Sequence, residues 1–253
     1  MDRVANRLSA LGSTAALELR GVTRMFGALA ALTDVTITVR PGERRAVLGS
    51  NGAGKTTLFN CVTGDFLPTS GTIRFFGEDI TGFPPYERIR RGLRRTYQIS
   101  ALFLGLSVRD NVYLACRGVS RSRFSMLRPR ANDALMQATE RLIEAVHLTA
   151  VRDQLVSELA HGQQRQLEIA LALAGAPRFI LFDEPAAGLS PTERRELVEI
   201  LTSLIIEHDM DVALRVVESV TMMHNGRIFK EGAPQEIESD PEVQELYLGG
   251  GHE

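Results

Sequence analysis

The feature that most constrains the fold is the segment GSNGAGKT at residues 49–56. It follows a short apolar run and precedes a helix-like stretch, so it predicts a strand, a tight loop and a helix in that order. Gly52 and Gly54 let successive backbone N–H groups turn towards one anion, and the helix N-terminus adds its partial positive charge. Lys55 would bring a full charge to the phosphate oxygens, and the Thr56 hydroxyl could bind Mg²⁺. In this context a nucleotide phosphate site is favoured over a chance glycine-rich turn.

A second chemical feature is the carboxylate pair in FILFDEP at residues 179–185. The apolar residues predict a buried strand, and Asp183 and Glu184 follow its C-terminal end, where parallel sheets bind ligands. Asp183 could hold Mg²⁺ directly or through water, and Glu184 could accept a proton from an attacking water or position it. Such a pair is often only a helix cap. Combined with the phosphate loop, it predicts a nucleoside triphosphatase.

Strands and helices alternate along most of the chain. Apolar residues alternate at Val35, Ile37 and Val39 before a Pro-Gly pair, which predicts a strand and a turn. Residues 84–160 are arginine-rich and helix-like, with few strand signals and a capping box that begins at Ser107. The whole pattern predicts an α/β fold, in which helices flank a mainly parallel sheet and a helical stretch interrupts it.

Composition excludes several functional classes. Lys plus Arg number 29 against 31 Asp plus Glu, a net charge of −2, which argues against binding to nucleic acid. The two cysteines rule out a disulfide framework and fit a reducing compartment. No apolar run reaches the roughly 18 residues that span a bilayer, and the N-terminus lacks the apolar core of a secretion signal. We therefore expect a cytoplasmic protein that reaches a membrane only through a partner.

The family is indicated by ELAHGQQRQLEIALAL at residues 158–173, upstream of the acidic pair. This segment resembles the signature sequence of ATP-binding-cassette (ABC) ATPases. Phe26, the phosphate loop, Gln98 in RRTYQ, the signature, the acidic strand and His208 in IIEHD all follow in that family's order. The resemblance extends from about Leu17 to the end of the chain. It implies a P-loop NTPase core with an antiparallel β subdomain and an inserted α-helical subdomain.

The resemblance also assigns roles to individual residues. It implies that Phe26 stacks on adenine, that Gln98 senses Mg²⁺ and water, and that His208 contacts the γ-phosphate. It makes Glu184, His208 and Gln98 the catalytic residues, and ATP and Mg²⁺ the cofactors. The Mg²⁺ ligands that it implies are Thr56, Gln98 and Asp183. The nucleotide-binding residues that it implies are Phe26, Gly49, Ser50, Asn51, Gly52, Ala53, Gly54, Lys55, Thr56, Thr57, Ala160, His161, Gly162 and Gln163.

A domain organisation follows from the same resemblance, together with the small, aperiodic residues of the N-terminus. The expected boundaries are residues 1–16 for a flexible leader, 17–253 for the nucleotide-binding domain, 17–84 with 161–253 for its catalytic α/β core, and 85–160 for its helical subdomain.

The resemblance implies partners as well. In ABC ATPases the signature contacts the γ-phosphate bound to another subunit, so we expect a head-to-tail dimer with an identical or paralogous ATPase. Local phrases such as FGALAALTDV, PTSGTIRFFGEDITG and IESDPEVQELYLGG are similar to the ATPase subunits of branched-chain amino acid importers. That similarity implies separate integral membrane permease subunits and a separate solute-binding protein. The chain would then lie on the inner face of the cell membrane.

Two positions and one segment depart from the family pattern. The signature usually begins Leu-Ser, but Ala160 stands in place of the serine, and Ser190 stands in place of an aspartate. The run ERRELVEILTSLIIEHD leaves too little chain before His208 for both a turn and a strand, and we judge it about ten residues short. Either the determined sequence omits residues that the molecule contains, or a true deletion has removed a strand. The first is favoured because losing a central strand should be strongly destabilising.

Three alternatives to an importer subunit stay open. An ABC ATPase of DNA repair or of the ribosome usually has two cassettes or long basic or coiled-coil insertions, which this chain lacks. A hydrolysis-impaired ATP-binding partner is favoured by Ala160 and the short segment before His208, and disfavoured by Glu184. An exporter subunit, for example for lipid, is disfavoured by the RRTYQ segment and the importer-like tail.

Overall fold

A computed structural model describes residues 15–96, 102–120, 134–183, 191–192, 195 and 217–247. Residues 1–14 of the expected leader and the expectations for Gln98, Glu184, Ser190 and His208 lie outside these residues, as does the short segment before His208. Among the described residues, no helix is both long and apolar enough to cross a membrane.

The described elements are labelled in chain order. The strands are β1 Leu17–Phe26, β2 Leu29–Val39, β3 Arg45–Gly49, β4 Ser70–Phe75, β5 Glu78–Asp79, β6 Leu93–Arg95, β7 Phe179–Leu181, β8 Ser219–His224 and β9 Arg227–Gly232. The α-helices are α1 Lys55–Thr63, α2 Pro85–Arg90, α3 Val108–Val119, α4 Ala134–Ala145, α5 His161–Leu173, α6 Pro234–Glu238 and α7 Pro241–Tyr247. Short 3₁₀ turns lie at Thr149–Val151 and Val156–Glu158.

The chain divides into two compact units, Met1–Arg88 with Ala213–Glu253, and Ile89–Val212. The first unit contains an antiparallel sheet in the order β2-β1-β4-β5 and a second sheet in the order β3-β8-β9. In the second sheet β3 runs parallel to β8, and β9 returns antiparallel. The division into a core and a helical subdomain that we expected from the sequence stays a prediction.

The first unit's strands follow the predicted pattern. Val35, Ile37 and Val39 are buried, as their alternation in β2 indicates. Helix α1 starts directly after the glycine-rich loop and ends at Gly64, whose φ of 87° gives a left-handed C-terminal cap. The sequence therefore places the phosphate loop correctly between a strand and a helix.

The second unit combines helices α3, α4 and α5 with the parallel pair β6 and β7. Its apolar core includes Val112, Ile143, Leu167 and Phe182. Ser107 caps α3 by accepting the N–H of Asp110 at 3.0 Å, which confirms the predicted helix start. The sequence of strand β6, Leu-Arg-Arg, does not predict a strand. It lies in the segment that the sequence pattern predicts to be helical. Its backbone is fixed by pairing with β7, a contact that local patterns do not encode.

Candidate functional site

The loop between β3 and α1 has the geometry of an anion cradle. Gly52 and Gly54 adopt φ angles of 81° and 103°, which side-chain-bearing residues rarely adopt. Gly54 occupies the N-cap position of α1, so no side chain at that position caps the first-turn amides. A Cβ atom on Gly52 would meet nothing within 4 Å, so the space beside this part of the loop is open. An anion can therefore approach the backbone N–H groups at the start of the helix.

The loop is supported from behind by two other segments. A Cβ atom on Gly54 would lie 2.8 Å from the Ala31 carbonyl oxygen in β2 and 3.2 Å from Cα of Gly226. Gly226, in the turn between β8 and β9, donates its N–H to the Ala53 carbonyl at 2.9 Å and accepts the Thr33 N–H at 2.8 Å. The sequence reasoning missed Gly226 as a support. The Asn-Gly pair before β9 is a hairpin signal that could have drawn attention to it.

The loop also carries a charged group and hydroxyl groups next to the start of α1. The Lys55 ammonium lies against its own loop, where it donates to the carbonyls of Gly49 and Ser50, the latter at 3.1 Å. Thr56 is exposed in the first turn of α1, and Thr57 beside it is half-buried. A cation and an accessible hydroxyl thus flank the same helix terminus, which suits a phosphate with an associated metal ion.

Phe26 ends β1 and keeps part of its ring accessible, at 39% exposure. Its ring meets the Phe66 ring edge-on, with 5.2 Å between centroids, and the Arg24 guanidinium lies 4.6 Å from its centroid. The ring is therefore held by neighbours and still offers surface to a planar ligand. This arrangement suits the stacking role that the family resemblance implies, which stays a prediction.

Asp183 lies just beyond β7 and is 7% exposed. Its N–H donates to the Thr96 hydroxyl at 3.2 Å, and its Oδ2 accepts from Nη2 of Arg95 at 2.5 Å. In the described part of the chain, Oδ1 accepts no hydrogen bond. The sequence reasoning missed Arg95 and Thr96 as neighbours of this carboxylate. Their position just before Gln98 in the RRTYQ segment was the only signal.

The signature residues form the first turn of α5. Ala160 is the N-cap, with φ of −61° and ψ of 155°, and no side chain caps the helix there. Only half of a capping box is present, because alanine has no acceptor, and Oε1 of Gln163 accepts the Ala160 N–H at 3.0 Å. His161 and Gly162 are the first two residues of the helix. The substitution thus removes a hydroxyl from the position where a serine would cap this terminus.

The structure brings only some of the expected site residues together. The phosphate loop and Phe26 belong to the first unit, and Asp183 and the signature residues to the second. The three catalytic candidates Gln98, Glu184 and His208 lie outside the described residues, and their roles stay predictions.

Comparison with known proteins gives matches over most of the chain. A family model described as "ABC transporter" matches residues 32–187, and one described as "Branched-chain amino acid ATP-binding cassette transporter" matches residues 231–253. The high-affinity branched-chain amino acid transport ATP-binding protein BraF of Pseudomonas aeruginosa is 35% identical over 248 residues, 92% of this chain and 97% of that protein. The corresponding protein LivG of Escherichia coli K12 gives the same identity and coverage. The lipopolysaccharide export system ATP-binding protein LptB of Acidithiobacillus ferridurans is 34% identical over 241 residues, 92% of this chain and 96% of that protein.

The alignments with BraF and LivG can be compared with the predicted shortening of this chain. The 248 aligned positions exceed 92% of this 253-residue chain, so the alignments with BraF and LivG leave gaps in this chain. The comparison does not place these gaps in the segment before His208, so the shortness of that segment stays a prediction.

Solved structures agree with the family match. The ADP conformation of an ATP-binding cassette of an ABC transporter has a TM-score of 0.83 and 30% identity, covering 94% of this chain and 100% of that chain. A nucleotide-free cassette from an ABC transporter has a TM-score of 0.79 and 28% identity, covering 92% and 98%. These likenesses confirm the α/β P-loop fold class predicted from the sequence. The glycine-rich loop, the signature helix and these matches together show that the chain belongs to the ATP-binding-cassette family of ABC transporters, as a homologue of branched-chain amino acid transport ATP-binding proteins.

Proposed function

We propose that the chain binds and hydrolyses ATP to drive import of a branched-chain amino acid or a related small solute through separate permease chains. The observation that carries this proposal is the loop before α1, where left-handed glycines and an uncapped helix terminus form an anion cradle. The likeness to BraF and LivG supports the importer assignment.

The loop residues would bind the nucleotide in three ways. The first-turn amides of α1 would donate to the phosphate oxygens, with the helix terminus adding a favourable potential. The Lys55 ammonium, now on the carbonyls of its own loop, would move to the phosphate oxygens when ATP arrives. Phe26 would hold the adenine by stacking, since its ring is fixed at one edge and partly open.

The donor set also suits Mg²⁺, which prefers oxygen ligands from a hydroxyl or carboxylate alongside the phosphates. Thr56 is exposed, and Oδ1 of Asp183 accepts no hydrogen bond from the described residues. Thr56 and Asp183, with Gln98, are the residues that would hold the ion, which would neutralise phosphate charge during hydrolysis. Glu184 would orient the attacking water or accept its proton, and His208 would contact the γ-phosphate.

A second subunit would complete the site. The first turn of α5 is an uncapped helix terminus, which is attractive to an anion. We propose that it meets the γ-phosphate of an identical or paralogous ATPase in a head-to-tail dimer. Membrane permease subunits and a solute-binding protein would be separate chains, and the ATPase dimer would bind the cytoplasmic face of the permease. The uptake of solute would then follow closure and reopening of the dimer.

The proposal is tested first on the purified chain. Lys55→Ala should weaken binding of a fluorescent ATP analogue at least tenfold, while Lys230→Ala, a lysine of the same unit paired with Asp240, should not. Glu184→Gln should keep binding and lower Mg²⁺-dependent turnover on the order of 100-fold. If Lys55→Ala binds like the wild type, the loop is not the nucleotide site.

Uptake by cells tests the transport role. A strain without the gene should take up less radiolabelled leucine, isoleucine or valine, and the wild-type gene should restore uptake where the Glu184→Gln gene does not. Unchanged uptake would exclude the importer proposal for these solutes.

A second candidate is a partner that binds ATP and barely hydrolyses it, which the missing hydroxyl at Ala160 favours. Retained binding with turnover no higher than that of Glu184→Gln would identify this case.

A further inference from the structure

Strand β6, which leads into the RRTYQ segment, fixes the position of Asp183. Strand β6 runs parallel to β7, with Arg95 in register with Leu181. One residue later, Thr96 donates its N–H to the Leu181 carbonyl at 2.9 Å, and its hydroxyl accepts the Asp183 N–H at 3.2 Å. The backbone of Asp183 is therefore fixed from β6, before any ligand is considered.

The same strand also supplies a cation to the Asp183 carboxylate. Nη2 of Arg95 lies 2.5 Å from Oδ2 of Asp183, and the two side chains are 4% and 10% exposed. Solvent screens such a pair much less than a surface pair, so the attraction is strong and its loss leaves an uncompensated charge. Arg95 thus acts on the carboxylate directly.

The neighbouring arginine shows that this contact is specific. Successive side chains of a strand point to opposite faces, so Arg94 and Arg95 cannot both face Asp183. Arg94 instead donates to the carbonyls of Ile89 and Leu93. Among the described residues, it is Arg95 and not Arg94 that pairs with the Asp183 carboxylate.

We propose that Arg95 is a built-in counter-ion that occupies Oδ2 of Asp183 when no metal is present, and that it thereby sets the Mg²⁺ concentration needed for nucleotide binding. The inference rests on the proposed role of Asp183 as a metal ligand. An arginine carries a permanent positive charge, so it both competes for a carboxylate oxygen and repels a divalent cation. Arg95 is accordingly a positioning residue, since it acts through Asp183.

The experiment uses the full-length chain after removal of metal with EDTA. Fluorescence of mant-ATP is followed at fixed nucleotide concentration while MgCl₂ is added. Arg95→Gln, which removes the charge, should lower the half-saturating Mg²⁺ concentration at least tenfold. Arg95→Lys, which keeps a charge but not the planar fork, should lower it about threefold. Arg94→Gln is the matched control and should leave it unchanged.

A second readout is thermal unfolding without nucleotide. Arg95→Gln should melt at a lower temperature than the wild type in EDTA, and MgCl₂ should raise its melting temperature more than that of the wild type. This difference arises because the variant leaves the Asp183 carboxylate buried without its cation.

An unchanged half-saturating Mg²⁺ concentration in a folded Arg95→Gln protein would overturn the inference, as would an equal shift in Arg94→Gln. If Arg95→Gln does not fold, Arg95→Lys decides in the same way. A wild-type chain that fails to bind mant-ATP at any Mg²⁺ concentration would instead refute the proposed function itself.

Discussion

Arg88 should be one of the largest single contributors to the stability of the first unit. Its side chain is fully buried in α2 and donates to four backbone carbonyls, which belong to Cys61 at 2.7 Å and to Val62, Thr81 and Phe83 at 2.9 Å each. The carbonyls of Cys61 and Val62 lie in the last turn of α1, where no further helical N–H can reach them. Arg88 therefore caps the C-terminal end of the helix that carries the phosphate loop.

The size of the expected stability loss follows from these four hydrogen bonds and from the desolvation cost of the buried guanidinium. Burial lowers the pKa of Arg88 to about 10, so the guanidinium is still charged at neutral pH although desolvation disfavours that charge. Replacement by methionine removes this cost and keeps much of the packing volume, but leaves four carbonyls without their donor. At about 1 kcal/mol for each net bond, Arg88→Met should lower the free energy of unfolding by about 3–4 kcal/mol.

The assay is urea unfolding followed by far-ultraviolet circular dichroism, because the chain has no tryptophan for fluorescence. Arg90→Met is the matched control, since Arg90 lies on the same helix and is exposed, and it should change the free energy by less than about 0.5 kcal/mol. Equal losses in the two variants would refute the reasoning, because they would show that the four buried bonds add nothing beyond an exposed arginine.

Three further predictions concern other parts of the chain. Ala160→Ser should cap α5 and raise the free energy of unfolding by about 1 kcal/mol in urea titrations. It should also increase ATP turnover. Unchanged values would show that the absence of a hydroxyl at position 160 weakens neither the helix nor turnover. Burial raises the pKa of Glu43, but bonds from the Ser219 hydroxyl and the Arg40 N–H and the charge of Arg45 outweigh it, so the pKa lies below 4.5. Glu43 therefore stabilises the protein above pH 4.5, and its contribution is lost as the pH falls through the lowered pKa. Urea unfolding at pH 6 and pH 4 should show that the free energy of unfolding falls less between these pH values in Glu43→Gln than in the wild type. An equal fall in both proteins would exclude Glu43 as a cause of the pH dependence. The intact mass should exceed 27.8 kDa by on the order of 1 kDa if a turn and strand are missing before His208. A mass that matches this value would instead establish a true deletion.

Much of the fold could be predicted because its signals are local. The alternation at Val35, Ile37 and Val39 fixes which face of β2 is buried, and all three residues are in the core. The cap at Ser107 and the stop at Gly64 mark helix ends within a few residues. The glycine-rich loop is also local, since its conformation requires glycine at two φ angles that other residues avoid.

The supports of the site could not be predicted in this way. Gly226 backs the phosphate loop from a turn far along the chain, and Arg95 meets Asp183 across 88 positions of sequence. Strand β6 itself shows no strand signal, because two of its three residues are arginines and its pairing with β7 decides its backbone.

The sequence by itself determined the segment that would hold phosphate, because that depends on residue types at fixed short spacings. It also determined the family and its fold class, through the resemblance of its ordered motifs to ABC ATPases. Only the tertiary structure decided which groups lie around the site residues. These are the turn at Gly226, which leaves no room for a side chain at Gly54, the arginine that caps the end of α1, and the cation that pairs with Asp183. The physical reason is that these contacts join residues distant in the chain. Their energies depend on burial and distance, and neither quantity exists until the chain has folded.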